Sequence, residues 1–273
     1  MSGAGGAGAG AASNGAAIRV SVEDAIAADP SLAQHAEHWV EESLPLIDIR
    51  QEEDTTAGRR IHTFHVGERA AAVLQHIPAP VSVVAVVGQG RTGKSYLASR
   101  LVNRSRAFKT GGTNEAVTMG IFMWGTPQIA EIGGRRVFVI TLDCEGFTGG
   151  SNKDHDTRIF AMATLMCSML VYNQKKAIDE PAIEAIGCIA KISEHLKASS
   201  SGTTVELAPF FPSLMWVVRD AQLRMVDKVG LLAAVVVELG ASACLAVCNP
   251  EWPAYHGRQV FEGRIGPRET PGR

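Results

Sequence analysis

Residues Gly88-Gln89-Gly90-Arg91-Thr92-Gly93-Lys94-Ser95 fit the spacing G-x-x-x-x-G-K-[ST], the pattern of a loop that wraps around phosphate groups. Glycines let the backbone come close to an anion. Consecutive N–H groups and the start of the following helix then face its negative charge. Lys94 is placed to reach β- and γ-phosphates as a point charge, and Ser95 offers a hydroxyl that can ligate Mg²⁺. These eight residues predict a nucleotide site.

Phosphoryl transfer also needs a carboxylate near the metal and a segment that senses the γ-phosphate. The run Arg136-Val137-Phe138-Val139-Ile140-Thr141-Leu142 ends in Asp143-Cys144-Glu145-Gly146. Asp143 is expected to hold Mg²⁺ through water, and the Gly146 N–H to meet the γ-phosphate. An acid-to-glycine turn is weak by itself and gains force from its distance behind the phosphate loop. Between the two lies a polar loop, residues 110–120, in which Thr118 is the candidate hydroxyl for the metal. Residues 212–220 read as a further strand, ending in Arg219-Asp220. A carboxylate there can accept hydrogen bonds from N1–H and the 2-amino group of guanine, and adenine offers no such pair. Taken alone, Arg219-Asp220 is more often a surface ion pair of little worth.

The elements that must hold these residues are legible from periodicity. Residues 81–87 form a nearly continuous apolar run, as in a buried parallel strand. The stretch after Ser95 has helical period, with Tyr96, Leu97, Leu101 and Val102 on one side and Arg100 and Arg104 outside it. Residues 45–65 predict a strand or hairpin, and 66–77 a helix. Residues 159–172, apolar on nearly every side, predict a packed helix. Residues 177–197 predict another, burying Ile178, Ile183, Ile186, Ile189 and Leu196, before a Ser/Gly-rich loop at 198–204. The expected class is α/β: a P-loop NTPase G domain with a mainly parallel central sheet and helices on both faces.

Organisation around that domain is uneven. Residues 1–20 read as a disordered Gly/Ala-rich tail, without the basic and apolar regions of a secretory signal. Residues 21–44 read as an N-terminal helical segment, with Ser21 and Asp24 at capping spacing. The domain is expected over 45–228. Residues 229–248 are apolar apart from Glu238, Ser242 and glycines, and a Pro/Gly/Arg-rich tail completes 229–273. Three readings of that apolar stretch stay open: a membrane span, in which Glu238 would cost about 2.5–3.5 kcal/mol; a buried element; or sequence outside the native reading frame. The C-terminus carries no prenylation box, so no lipid anchor of that kind is expected.

Composition sets outer limits. The 273 residues carry 26 basic and 28 acidic side chains for a net charge of −2, so no nucleic-acid footprint appears. The five cysteines are odd in number and scattered, which suits a reducing, cytoplasmic compartment, with membrane association left open by residues 229–248. Cys244-x-x-x-Cys248 has no second pair, and His62-x-x-His65 and His35-x-x-His38 lack metalloprotease spacing.

In this order, the blocks resemble the guanylate-binding protein and atlastin branch of the dynamin-like large GTPases, over about residues 45–225. The matching text is VVGQGRTGKSYL (Val86 to Leu97), TMGIFMW (Thr118 to Trp124), LDCEGF (Leu142 to Phe147), Ile159-Phe160-Ala161-Met162-Ala163, Leu170-Val171-Tyr172-Asn173 and WVVRD (Trp216 to Asp220). The resemblance implies Mg²⁺-dependent hydrolysis of GTP to GDP by a homodimer formed through G domains. It implies a nucleotide-binding set of Gly88, Arg91, Thr92, Gly93, Lys94, Ser95, Tyr96, Gly146, Arg219 and Asp220. Ser95, Thr118 and Asp143 would hold the metal, and Asp220 would read guanine with Arg219 supporting the base-binding loop. Arg91 matches the internal arginine finger, worth about 10³–10⁵ in rate, and Glu145 a residue tied to water organisation; with Lys94 and Thr118 they make the catalytic set. One departure is Ala116, where many guanylate-binding proteins have serine. The alternative is therefore a truncated guanine-nucleotide-binding module with little or no hydrolysis.

Overall fold

The computed structural model describes residues 17–54, 59–110, 119–147, 153–180, 182–184, 187, 212–219 and 243–248. Its centre is a ten-stranded sheet, reached by β4 (Val81–Val87), β7 (Arg135–Cys144), β8 (Met169–Lys175), β9 (Ser213–Arg219) and β10 (Ala243–Cys248) on the parallel side. These five run in the order β10-β9-β8-β4-β7 with every neighbouring pair parallel. Beyond β7 the sheet turns antiparallel through β5 (Ile121–Trp124), β2 (Ser43–Asp54) and β3 (Arg59–Val66). A side branch adds β6 (Gln128–Ile132) and β1 (Ile18–Val20) to the start of β7.

Alternation along β4 shows how the layers form. Val84 and Val86 face one apolar cluster with Ala98 and Val102, which belong to or follow α4 (Lys94–Leu101). Ala85 and Val87 face the other, with Ile159, Phe160 and Ala163 of α5 (Lys153–Met166) and with Ala70 and Val73 of α3 (Glu68–Leu74). A strand buried on both faces is a continuous apolar run for this reason. The expected α/β architecture, mainly parallel with helices on both faces, is the architecture found.

Several local expectations need correction. The apolar stretch 159–172 is not one helix: α5 ends at Met166, and Met169 onward is strand β8, paired with β4 and β9. A run apolar on all sides satisfies a buried helix and a buried strand equally, so period could not separate them. Residues 21–44 are not one helix either. α1 (Val22–Ala28), capped by the Ser21 hydroxyl accepting from Asp24 N–H, stops at Asp29. Pro30 forces Asp29 into extended backbone and opens a 3₁₀ turn, Pro30–Leu32, before the short α2 (Ala33–Ala36). Ile18–Val20, placed in the tail by composition, forms β1 against β6. Tyr96 lies off the buried stripe of α4 at 56% exposure, and Ile183 is likewise exposed. Ile186, Ile189 and Leu196 are outside the described residues. Residues 243–248, beyond the expected domain end, pair in parallel with β9 and so belong to the sheet. Among the described residues no helix is long and apolar enough to cross a membrane.

Candidate functional site

Ligand sites in open parallel sheets lie beyond the carboxyl ends of the strands. Register brings three such ends together here: Val86 pairs with Asp143 of β7, Val87 with Tyr172 of β8, and Lys175 of β8 with Arg219 of β9. The phosphate-loop residues leave β4 into that space. Gly88 has φ 136°, and a Cβ on it would stand 2.2 Å from the Asn173 carbonyl oxygen, so only glycine fits. Arg91 (φ 62°) and Gly93 (φ 82°) also take left-handed backbone, with Gly93 capping α4.

The loop is braced from β8 and from β9 beyond it. The Thr92 hydroxyl donates to the Gln89 carbonyl at 2.9 Å. The buried Asn173 amide donates to both the Thr92 carbonyl and its hydroxyl at 3.0 Å. The Arg219 guanidinium donates to the same Thr92 carbonyl. Gln89 reaches outward, its amide donating to Asp179 at 3.1 Å. Lys94 is buried and donates to the Gln89 carbonyl at 2.9 Å. Burial pushes its pKa down, opposed by the negative potential of Asp143, Cys144 and Glu145.

The turn after β7 lies directly on this loop. Gly90 N–H donates to the Phe147 carbonyl at 2.9 Å and Phe147 N–H to the Gly88 carbonyl at 3.2 Å. A Cβ on Gly146 would be 2.6 Å from Gly90 Cα and 2.7 Å from Lys94 Nζ. Contact that close makes glycine obligatory. Asp143 is 1% exposed at the tip of β7. Glu145 pairs with Gly120, whose carbonyl accepts from Glu145 N–H at 2.7 Å and whose N–H donates to Glu145 Oε2 at 2.9 Å. His155 Nε2 lies 3.2 Å from the same oxygen.

Of the residues singled out by sequence, Gly88, Arg91, Thr92, Gly93, Lys94, Ser95, Asp143, Glu145, Gly146 and Arg219 converge on these strand ends. Tyr96 is next to them in sequence but exposed on α4. Thr118, Asp220 and Ala116 lie outside the described residues. Asn173, the Gln89–Asp179 pair and His155 were not anticipated. For Asn173 the advance signals were its place in the matching text, where it carried no role, and Asn173-Gln174 as two polar residues at the end of an otherwise apolar strand. As for a metal, among the described residues no three His, Cys, Asp or Glu side chains gather. One carboxylate, Asp143, and one hydroxyl, Ser95, remain as donors. That set fits Mg²⁺, which takes few protein ligands beside phosphate oxygens and water.

Residues 61–234 match the family model described as guanylate-binding protein, N-terminal domain. The chain is 36% identical over 168 residues to human guanylate-binding protein 6 and, equally, to human guanylate-binding protein 4, covering 59% of this chain and 26% of each relative. It is 33% identical over 181 residues to human guanylate-binding protein 2, covering 63% of this chain and 29% of that one. The chain thus spans roughly a quarter of the length of these relatives. Among solved structures, Methanosarcina barkeri Roco2 RocCORdC bound to GDP aligns over 52% of this chain and 35% of its own at 19% identity. Its TM-score is 0.28, too low to bear on the fold.

Proposed function

The chain belongs to the guanylate-binding protein family, and we propose that it binds GTP with Mg²⁺ and hydrolyses it to GDP. The observation that carries this reading is the contact of Gly146 with Gly90 and Lys94. On this reading the Gly146 N–H, Lys94 and the loop backbone all face the place that a terminal phosphate would take. Backbone N–H groups from Arg91 to Ser95 and the start of α4 bind the phosphates, with Gly88 letting the loop turn, Thr92 fixing its shape and Tyr96 at its exit. Lys94 neutralises the β- and γ-phosphates, whose charge replaces the solvation it loses on burial. Ser95, Asp143 and Thr118 are the residues that would hold Mg²⁺. When bound, the ion neutralises charge developing on the phosphate oxygens.

Asp220 reads the guanine edge, and Arg219, donating to the Thr92 carbonyl, ties the base-reading strand end to the phosphate loop. Glu145 orients the attacking water. Arg91 acts as an internal arginine finger when two G domains meet as a homodimer, since it is exposed on the loop. Single-turnover phosphate release from GTP tests the reading. Release should require Mg²⁺ and accelerate per molecule as protein concentration rises. Intact GTP remaining bound after long incubation would overturn hydrolysis and leave a guanine-nucleotide-binding module.

A further inference from the structure

Glu145 has a partner that comes from neither nucleotide loop. His155, on the first turn of α5, places Nε2 3.2 Å from Glu145 Oε2, the oxygen that also accepts from Gly120 N–H at 2.9 Å. The two side chains are 8% and 12% exposed. A pair this dry and this close holds its geometry far better than a surface contact does. The imidazole is itself fixed: it stacks on Phe64 of β3 with centroids 5.8 Å apart and meets His62 edge-on at 5.1 Å. Its Nδ1 is buried and has no hydrogen-bond partner among the described residues. An imidazole so placed spends its one partnered nitrogen on Glu145.

We infer that His155 is a positioning residue for the hydrolysis, locking the Glu145 carboxylate as a latch between the turn after β7 and the start of β5. This rests on the GTPase reading above. With the Nε2–H form, His155 and the Gly120 N–H donate to one oxygen from two elements, so the carboxylate cannot rotate without breaking both bonds. Gly120 ends the segment that follows Thr118, and Glu145 precedes Gly146. The latch therefore keeps the two segments that must surround a γ-phosphate in one register. Loss of such orientation is felt in the chemical step rather than in nucleotide binding.

The test uses the full chain with His155→Phe, which keeps a ring against Phe64 but removes the donor, and His155→Gln, which keeps an N–H donor but loses the stack. The wild type, both variants, Glu145→Gln and the Glu145→Gln/His155→Phe double variant are compared for GTP affinity and single-turnover rate. His155→Phe should slow turnover by about tenfold or more, the scale of a hydrogen bond to a charged group. Its GTP affinity should stay within about threefold, and His155→Gln should recover most of the rate. In the Glu145→Gln background His155→Phe should add almost nothing, because coupled residues are non-additive. A full-rate His155→Phe, a slow His155→Gln beside a fast His155→Phe, or additive losses in the double variant would each overturn the latch. If His155→Phe does not fold, the rate of His155→Gln against wild type decides alone: near wild type supports the latch, a loss of tenfold overturns it. Wild-type protein that binds but never hydrolyses GTP would instead defeat the underlying GTPase reading.

Discussion

At the scale of single residues, the candidate site depends on positions where a side chain is impossible as much as on its polar side chains. Gly146 is the clearest. Alanine there must push Gly90 or Lys94 away, since its Cβ would come within 2.6 Å and 2.7 Å of them. Gly146→Ala should slow single-turnover hydrolysis on the order of 10²-fold, comparable to losing one backbone donor to a developing negative charge. Gly187→Ala, where a Cβ meets nothing within 4 Å among the described residues, serves as the silent control. These residues were legible because phosphate wrapping constrains type and spacing locally, from Gly88 through Ser95. Asn173 and His155 were not. Their roles arise when elements distant in sequence are brought side by side, and the polar pair Asn173-Gln174 marks a position without naming its partner.

Elements set the tension in the phosphate loop. β8 and β9 both reach the Thr92 carbonyl, through Asn173 and Arg219, so two strands and the loop move together. Asn173→Leu should remove both bonds to Thr92 and lower stability by about 1–3 kcal/mol in urea unfolding. GTP affinity should fall in the same variant. Loss of stability with unchanged affinity would separate the brace from binding. The existence of β8 itself was misread from sequence, because residues 159–172 are apolar throughout and lack the alternation that marks a half-buried strand. The break after α1 was hidden in another way: the apolar spacing around residues 22–44 suits a helix, while Asp29-Pro30 stops it. The parallel strands β4 and β7 were read correctly because burial on both faces leaves short apolar runs punctuated by glycine and acid.

For the whole molecule, two apolar clusters clamp one sheet, and buried thiols report on how dry they are. Burial pushes the Cys167 thiol up to about 12 from 9.0, and burial raises Cys144 still more clearly. The folded protein then holds these protons where the unfolded chain releases them. The stabilisation is complete below about pH 9 and is lost as pH climbs towards 12. Melting followed by circular dichroism should therefore show a falling Tm from about pH 9 to pH 10.5, with Cys167→Ala flattening part of the slope. Folding also joins the phosphate loop to the end of β9 through Arg219 and Thr92, and the proposed function has both grip a single ligand. The most direct measurement of that is titration calorimetry of the full chain with GTP and Mg²⁺, repeated in excess ATP and with Asp220→Asn against xanthosine triphosphate. Saturable heat from GTP that ATP does not erase, and a switch to xanthosine triphosphate in Asp220→Asn, is the predicted result. Folded protein that gives no heat with GTP, or that yields its GTP to ATP, would contradict it.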